Sequence, residues 1–171
     1  MGKLILLLTC IFVVILLIYY FYPEQKLPNG TTIDSIEVYK SKRKMHVYSD
    51  GKLLKTYTIS LGKNPIGPKQ FEGDNKTPEG IYNINAKNPN SGYHKNLGIS
   101  YPEAKDISLA KQLGKPTGGD VKIHGIRNGS GFIGKFQRWK DWTAGCIALT
   151  DSEMDELYHA TTIGATIKIL P

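Results

Sequence analysis

Residues 33–61 read IDSIEVYKSKRKMHVYSDGKLLKTYTISL, and this stretch decides the fold class. Apolar side chains recur at every second position through Ile36 and Val38, then through Met45 and Val47. That is the period of a half-buried β-strand, whose successive side chains point to opposite faces. Ser41-Lys42-Arg43-Lys44 separates the first two runs and reads as a solvated hairpin turn. Ser49-Asp50-Gly51-Lys52 is a second turn, and Leu54 to Leu61 a third strand. An antiparallel meander is therefore expected, not a helical bundle.

Downstream, residues 62–80 are rich in Gly, Pro, Lys and Asp and read as a long ordered loop. Period two resumes at Ile81–Ala86, and Leu97–Tyr101 suggests another strand. Between Glu103 and Leu113 the apolar spacing of Ala104, Ile107, Leu109, Ala110 and Leu113 predicts a helix, stopped by Gly114. Val121–His124 is a short strand, 125–142 a loop, and Cys146–Leu149 a buried strand. Thr150 followed three residues later by Glu153 is a capping box, opening a helix to about His159. Ala165–Leu170 closes the chain as a strand. The expected fold is mainly β, a sandwich or barrel-like mixed sheet with about two helices.

Upstream, Leu4–Tyr22 is uncharged and matches the roughly 20 apolar residues that cross a bilayer as a helix. It ends in Tyr19, Tyr20, Phe21 and Tyr22, which suit a membrane interface, and lacks the small-residue site of a cleaved signal peptide. Residues 1–22 thus read as a single-pass signal anchor. Lys3, the only charge before it, places the N-terminus inside and the rest of the chain outside the cytoplasm. Residues 23–32, PEQKLPNGTT, read as a linker, and 33–171 as one catalytic domain.

The formal charge of +7 favours anionic partners: nucleic acid, lipid or an acidic wall polymer. No nucleic-acid-binding signature accompanies it, so a nucleic acid is not expected. Cys10 lies in the anchor, so Cys146 is the only thiol of the exported part and cannot form a disulfide within it. A buried small hydrophobe is the bland reading of such a cysteine. Its surroundings favour chemistry. Gly145 permits a tight backbone before the sulfur, and the Gly145 and Cys146 amides are candidate oxyanion donors. His124, at the end of a strand and followed by Gly125, is the candidate base; a backbone carbonyl after Gly125 is expected to orient its ring. Thr143 is expected to contact substrate or brace the loop. His46, His94 and His159 read as surface or packing residues, and no ligand spacing points to a metal or cofactor.

His124-Gly125 with Thr143-Ala144-Gly145-Cys146-Ile147 resembles the His-Gly … Ser/Thr-x-Gly-Cys signature of the L,D-transpeptidase (YkuD) family. Ser60–Ile84, Leu97–Pro102 and Gly118–Gly125 are also similar to family segments. The resemblance implies a β-sandwich or barrel-like sheet with a cleft. It also implies a cysteine acyl-enzyme acting on peptidoglycan stem peptides at diaminopimelate, with transfer to an amine or to water. Two positions depart from the family pattern. Ala144 stands where many members have His, and Ala148 where many have Arg, a residue suited to binding a carboxylate. Arg127 and Arg138 are the candidate substitutes, against a reading as solvated loop charges. Phe132, Trp139 and Trp142 either wall the cleft or pack beneath it, with packing favoured for Trp142. The expected activity is L,D-transpeptidation. A hydrolase on the same scaffold and a non-catalytic wall-binding module are the alternatives.

Overall fold

The computed structural model describes residues 1–171. The meander forms as β1 (Ile33–Tyr39), β2 (Lys44–Ser49) and β3 (Lys52–Thr58). Asp50 and Gly51 both have positive φ, which matches the right-handed twist of a two-residue hairpin. β4 (Gly80–Ser91) and β5 (His94–Ile99) make a second hairpin, longer than the sequence pattern indicates. Then follow α2 (Ala104–Gln112), β6 (Lys122–His124), β7 (Ile147–Ala148), α3 (Asp151–Ala160) and β8 (Thr161–Leu170). The N-terminal helix α1 spans Gly2–Phe21 and precedes them all. One segment read as loop, Gly131–Trp139, winds into 3₁₀ turns kinked at Gly134.

The strands form one mixed sheet in the order β3-β2-β1-β8-β4-β5-β6-β7. β8 lies between β1, which it parallels, and β4, which it opposes. Its alternate residues Ala165, Ile167 and Ile169 therefore face the core. The two outer strands meet. Beyond β3 the chain bridges Ser60 to Ala148, and Gly62 to Thr143. The sheet thus curls until its edges touch around a 23-residue apolar core, the barrel-like alternative. Edge closure leaves little exposed backbone to recruit another strand.

Residues 62–80 are held by a buried lysine. Lys40 is 2% exposed. Its ammonium donates to the carbonyls of Gly67 (2.6 Å) and Thr77 (2.9 Å) and pairs with Glu79 (2.8 Å). Burial lowers its pKa, and the Glu79 carboxylate opposes that shift.

The helix expected between Glu103 and Leu113 forms as α2, but only part of its apolar spacing turns inward. Ile107 and Leu113 are about half exposed, at 50% and 46%, while Asp106 and Ala110 are buried. The Asp106 carboxylate accepts from Tyr82 Oη (3.2 Å) and from the Glu103 amide (2.9 Å), which satisfies it and turns the helix. The segment 23–32 is also not a loose linker. Leu27 packs into the core cluster, and its amide donates to Glu156.

Candidate active site

β6 and β7 run parallel with Ile123 opposite Ile147 and His124 opposite Ala148. Period two then decides which side chains share a face. Ile123 and Ile147 point into the core, fully buried. Lys122 and His124 from β6 point the other way, with Cys146 and Ala148 beside them. β5 extends the row, with Asn96 opposite His124, and β4 adds Asn88 opposite Asn96. Asn88, Asn96, Lys122, His124 and Cys146 line one cavity of about 530 Å³. The tip of the β4–β5 hairpin supplies Tyr93, and the loop after β3 supplies Lys63.

His124 is 6% exposed. Its Nδ1 lies 2.7 Å from the Gly125 carbonyl. A carbonyl only accepts, so Nδ1 carries the proton, and Nε2 is left with a lone pair for the cavity. The Gly125 amide donates in turn to the carbonyls of Tyr93 (3.1 Å) and Lys95 (3.3 Å). A Cβ at residue 125 would sit 2.7 Å from Asp151 Oδ1 and 2.8 Å from His94 Cβ, so glycine is required there. Tyr93 lies 4.7 Å and Trp142 5.6 Å from the imidazole, ring centre to ring centre. Burial lowers the His124 pKa; the Gly125 carbonyl opposes that, and the Lys122 ammonium adds to it.

Cys146 is partly exposed. Thr143 holds its backbone: Oγ1 donates to the Cys146 carbonyl (2.7 Å) and accepts from the Gly145 amide (3.1 Å). Thr143 is itself pinned, its amide donating to Leu61 O (3.1 Å) and its carbonyl accepting from Lys63 N (3.0 Å). Gly145 has φ +136°, and a Cβ there would lie 2.6 Å from Lys76 O. The thiol lies 3.7 Å from the Asp120 carbonyl, its hydrogen-bond acceptor. Burial raises the thiol pKa, with Lys122 and Lys69 opposing. Both shifts favour the uncharged forms of the thiol and the imidazole.

Several expected roles change with these contacts. The Gly145 amide, an expected oxyanion donor, is committed to Thr143, and the Gly125 amide donates to Tyr93 and Lys95. Gly125 acts through its carbonyl on the His124 ring. Thr143 is a brace. Arg127 is exposed and does not line the cavity. Arg138 is bound to Glu24 (2.9 Å) and Glu153 (2.7 Å) away from it. The cations of the cavity are Lys63 and Lys122. Trp142 both packs on His124 and walls the cavity; Phe132 and Trp139 do neither. Lys122 was missed, although strand period places it on the face of His124, two residues on. Tyr93 and Asn96 reach the site through the β5–β6 pairing and Lys63 through sheet closure, and neither leaves a local signal. No cluster of three or more His, Cys, Asp or Glu side chains is placed to hold a metal ion.

The L,D-transpeptidase catalytic domain family (YkuD) matches residues 33–169. Among curated proteins, "Putative L,D-transpeptidase YafK" of Escherichia coli (strain K12) is 29% identical over 133 residues, 74% of this chain and 46% of that protein. Among solved structures, the helical cell shape determining protein Pgp2 of Campylobacter jejuni superposes with a TM-score of 0.60 at 26% identity. That alignment covers 82% of this chain and 48% of the other. An L,D-transpeptidase from Mycobacterium smegmatis shares the fold, with a TM-score of 0.53 at 17% identity over 80% of this chain and 58% of that one. The chain spans about half the length of the first two.

Proposed function

The chain belongs to the L,D-transpeptidase catalytic domain (YkuD) family, and on that premise we propose that it acts on peptidoglycan stem peptides at diaminopimelate through an acyl-enzyme on Cys146. The observation that carries the proposal is the placement of His124 and Cys146 on one face of adjacent parallel strands, lining one cavity. His124 Nε2 takes the thiol proton as Sγ attacks the peptide carbonyl. The Cys146 amide, the one expected donor left without a partner, faces the developing oxyanion. As the carbon–nitrogen bond breaks, the imidazolium returns its proton to the leaving amine. The thioester then passes its acyl group to an acceptor amine, or to water.

Lys122 stands across the β6–β7 register from Cys146. With Lys63 it supplies the positive charge for a substrate carboxylate, in place of the arginine absent at Ala148. That substitution also favours a second reading, hydrolysis at the same centre. Residues 1–22 anchor the domain, which works outside the cytoplasm. α1 is long and apolar enough to span a membrane, with a mean hydropathy of 3.0 and no residue buried by the domain.

Full-length protein in detergent, incubated with tetrapeptide muropeptides, tests the proposal. A cross-linked product establishes transpeptidation and a shortened peptide establishes hydrolysis. Cys146→Ala and Cys146→Ser are expected to abolish either product with an unchanged circular dichroism spectrum. A fully active Cys146→Ala protein would end the assignment.

A further inference from the structure

The 3₁₀ segment Gly131–Trp139 is built inside out. Its two cations are turned inward. Lys135 Nζ donates to the carbonyls of Tyr19 (3.3 Å) and Tyr22 and pairs with Glu24 (3.1 Å). Arg138 bridges Glu24 and Glu153, with its side chain 8% exposed. The large apolar side chains are turned outward: Phe132 is 77% exposed, Trp139 62% and Ile133 37%. In water this is the reverse of the pattern that stabilises a surface segment.

The patch is continuous with the end of α1. Tyr19 packs on Phe136 and Trp139, with ring centres 5.9 Å and 5.7 Å apart, and Tyr20 packs on Phe136 at 5.4 Å. Tyr20 Oη donates to the Phe132 carbonyl (2.7 Å). Gly134 makes this approach possible, because a Cβ there would lie 2.8 Å from the Tyr20 ring. Phe21 and Tyr22 add exposed apolar surface, at 72% and 67%.

We infer that Phe132, Ile133 and Trp139 form a docking surface for the lipid bilayer, inserting at the headgroup–acyl boundary beside α1. The inference rests on the reading of α1 as a membrane segment. Its chemistry is that of interfacial protein surfaces, with aromatic and aliphatic side chains in the boundary layer and charges held behind them. The contact fixes how the domain stands on the membrane. α1 is then a rigid mount with its last turn clamped to the domain, not a flexible tether.

The chain has two tryptophans, so Trp142→Phe leaves Trp139 as the only reporter. The full-length variant is reconstituted in phosphatidylcholine–phosphatidylglycerol vesicles, with or without brominated acyl chains. The protein is expected to float with the vesicles. Trp139 emission is expected to lose about half its intensity or more with brominated lipid, as for a side chain 5–10 Å into the boundary. Adding Phe132→Asp and Ile133→Asp should preserve flotation and the circular dichroism spectrum while abolishing most of the quenching. Flotation without quenching overturns the inference, as does quenching that the two aspartates leave unchanged. A cross-linked dimer with unquenched Trp139 overturns it in favour of a second copy on the patch. Failure to float instead removes the anchor, and the inference with it.

Discussion

Nδ1 of His124 is spent on the Gly125 carbonyl at 2.7 Å, so all proton transfer with the cavity passes through Nε2. The same burial that lowers this imidazole's pKa from 6.5 raises the Cys146 thiol's from 9.0. Both shifts favour neutral forms, so the site is suited to removing the thiol proton during attack rather than storing a thiolate–imidazolium pair. The pH dependence follows from the signs. On the proposed mechanism His124 acts as base once it has lost its proton, so acylation is expected to rise with pH below the ordinary imidazole range and then level off. Burial, by raising the thiol pKa, keeps the thiolate scarce at neutral pH. Iodoacetamide alkylation of Cys146, followed by mass spectrometry, should therefore be slow at neutral pH and accelerate in alkali. Rapid alkylation near pH 6 would show a stored ion pair and sink this account. His124→Gln should lower acylation by a factor on the order of a hundred or more, the usual worth of a general base. The residual rate in that variant should climb with pH as free thiolate forms. His46→Ala and His159→Ala should do little, since neither residue lines the cavity.

Among the elements, the 62–80 loop depends on a single cation. Lys40 leaves the end of β1 and closes the loop with two carbonyls and Glu79. Lys40→Met keeps the aliphatic stem but leaves these acceptors without their donor. It is expected to lower stability by about 3 kcal/mol, in the range for breaking a buried ion pair. Urea denaturation measures it, and a loss below about 0.5 kcal/mol, typical of a surface site, would contradict the role. The loop borders the turn before Cys146, with Lys76 O against Gly145, so on the proposed mechanism kcat should fall as well. Strands were legible wherever one face is apolar: Ile36, Val38, Met45 and Val47 alternate cleanly. β4 runs on past Ala86 through Lys87, Asn88 and Asn90, where neither face is apolar and the pattern is silent. α2 was legible as a helix, but its spacing did not show that Asp106 faces inward with Ala110, held there by a hydrogen bond from Tyr82. At the site, Lys122 and His124 follow from strand period. The Thr143–Gly145 hydrogen bond is a local turn that Thr at this spacing allows. Tyr93 and Asn96 depend on which strands become neighbours, and no local spacing encodes that.

For the whole molecule, α1 and the domain form one continuous object. α1 has 20 residues, and at 1.5 Å per residue it is about 30 Å long, the thickness of a bilayer's hydrocarbon core. None of its residues is buried, and before the Tyr19–Tyr20 contact with the domain its apolar surface has no partner in water. Insertion in a membrane removes that exposure, and the Tyr19–Tyr22 end then lies at the interface where Lys135 caps its carbonyls. The chain beyond is held close. Glu24 pairs with Lys135 and Arg138, Leu27 enters the core, and Arg138 ties the same point to Glu153 at the start of α3. With α1 in a membrane, as proposed, a domain mounted this way is held within a short, set distance of the bilayer. The chain expressed in bacteria is accordingly expected to stay in the membrane fraction through an alkaline carbonate wash. Protease added to spheroplasts should digest residues 23–171 while intact cytoplasm protects Met1–Lys3. Recovery of a soluble form beginning near Pro23 would show that α1 is removed after export. Arg138→Ala, which frees the mount but leaves α1 untouched, should keep the protein in the membrane while speeding proteolysis between Tyr22 and Ile33. An unchanged cleavage rate in that variant would mean that the Glu24–Arg138–Glu153 bridge does not hold the domain to its anchor.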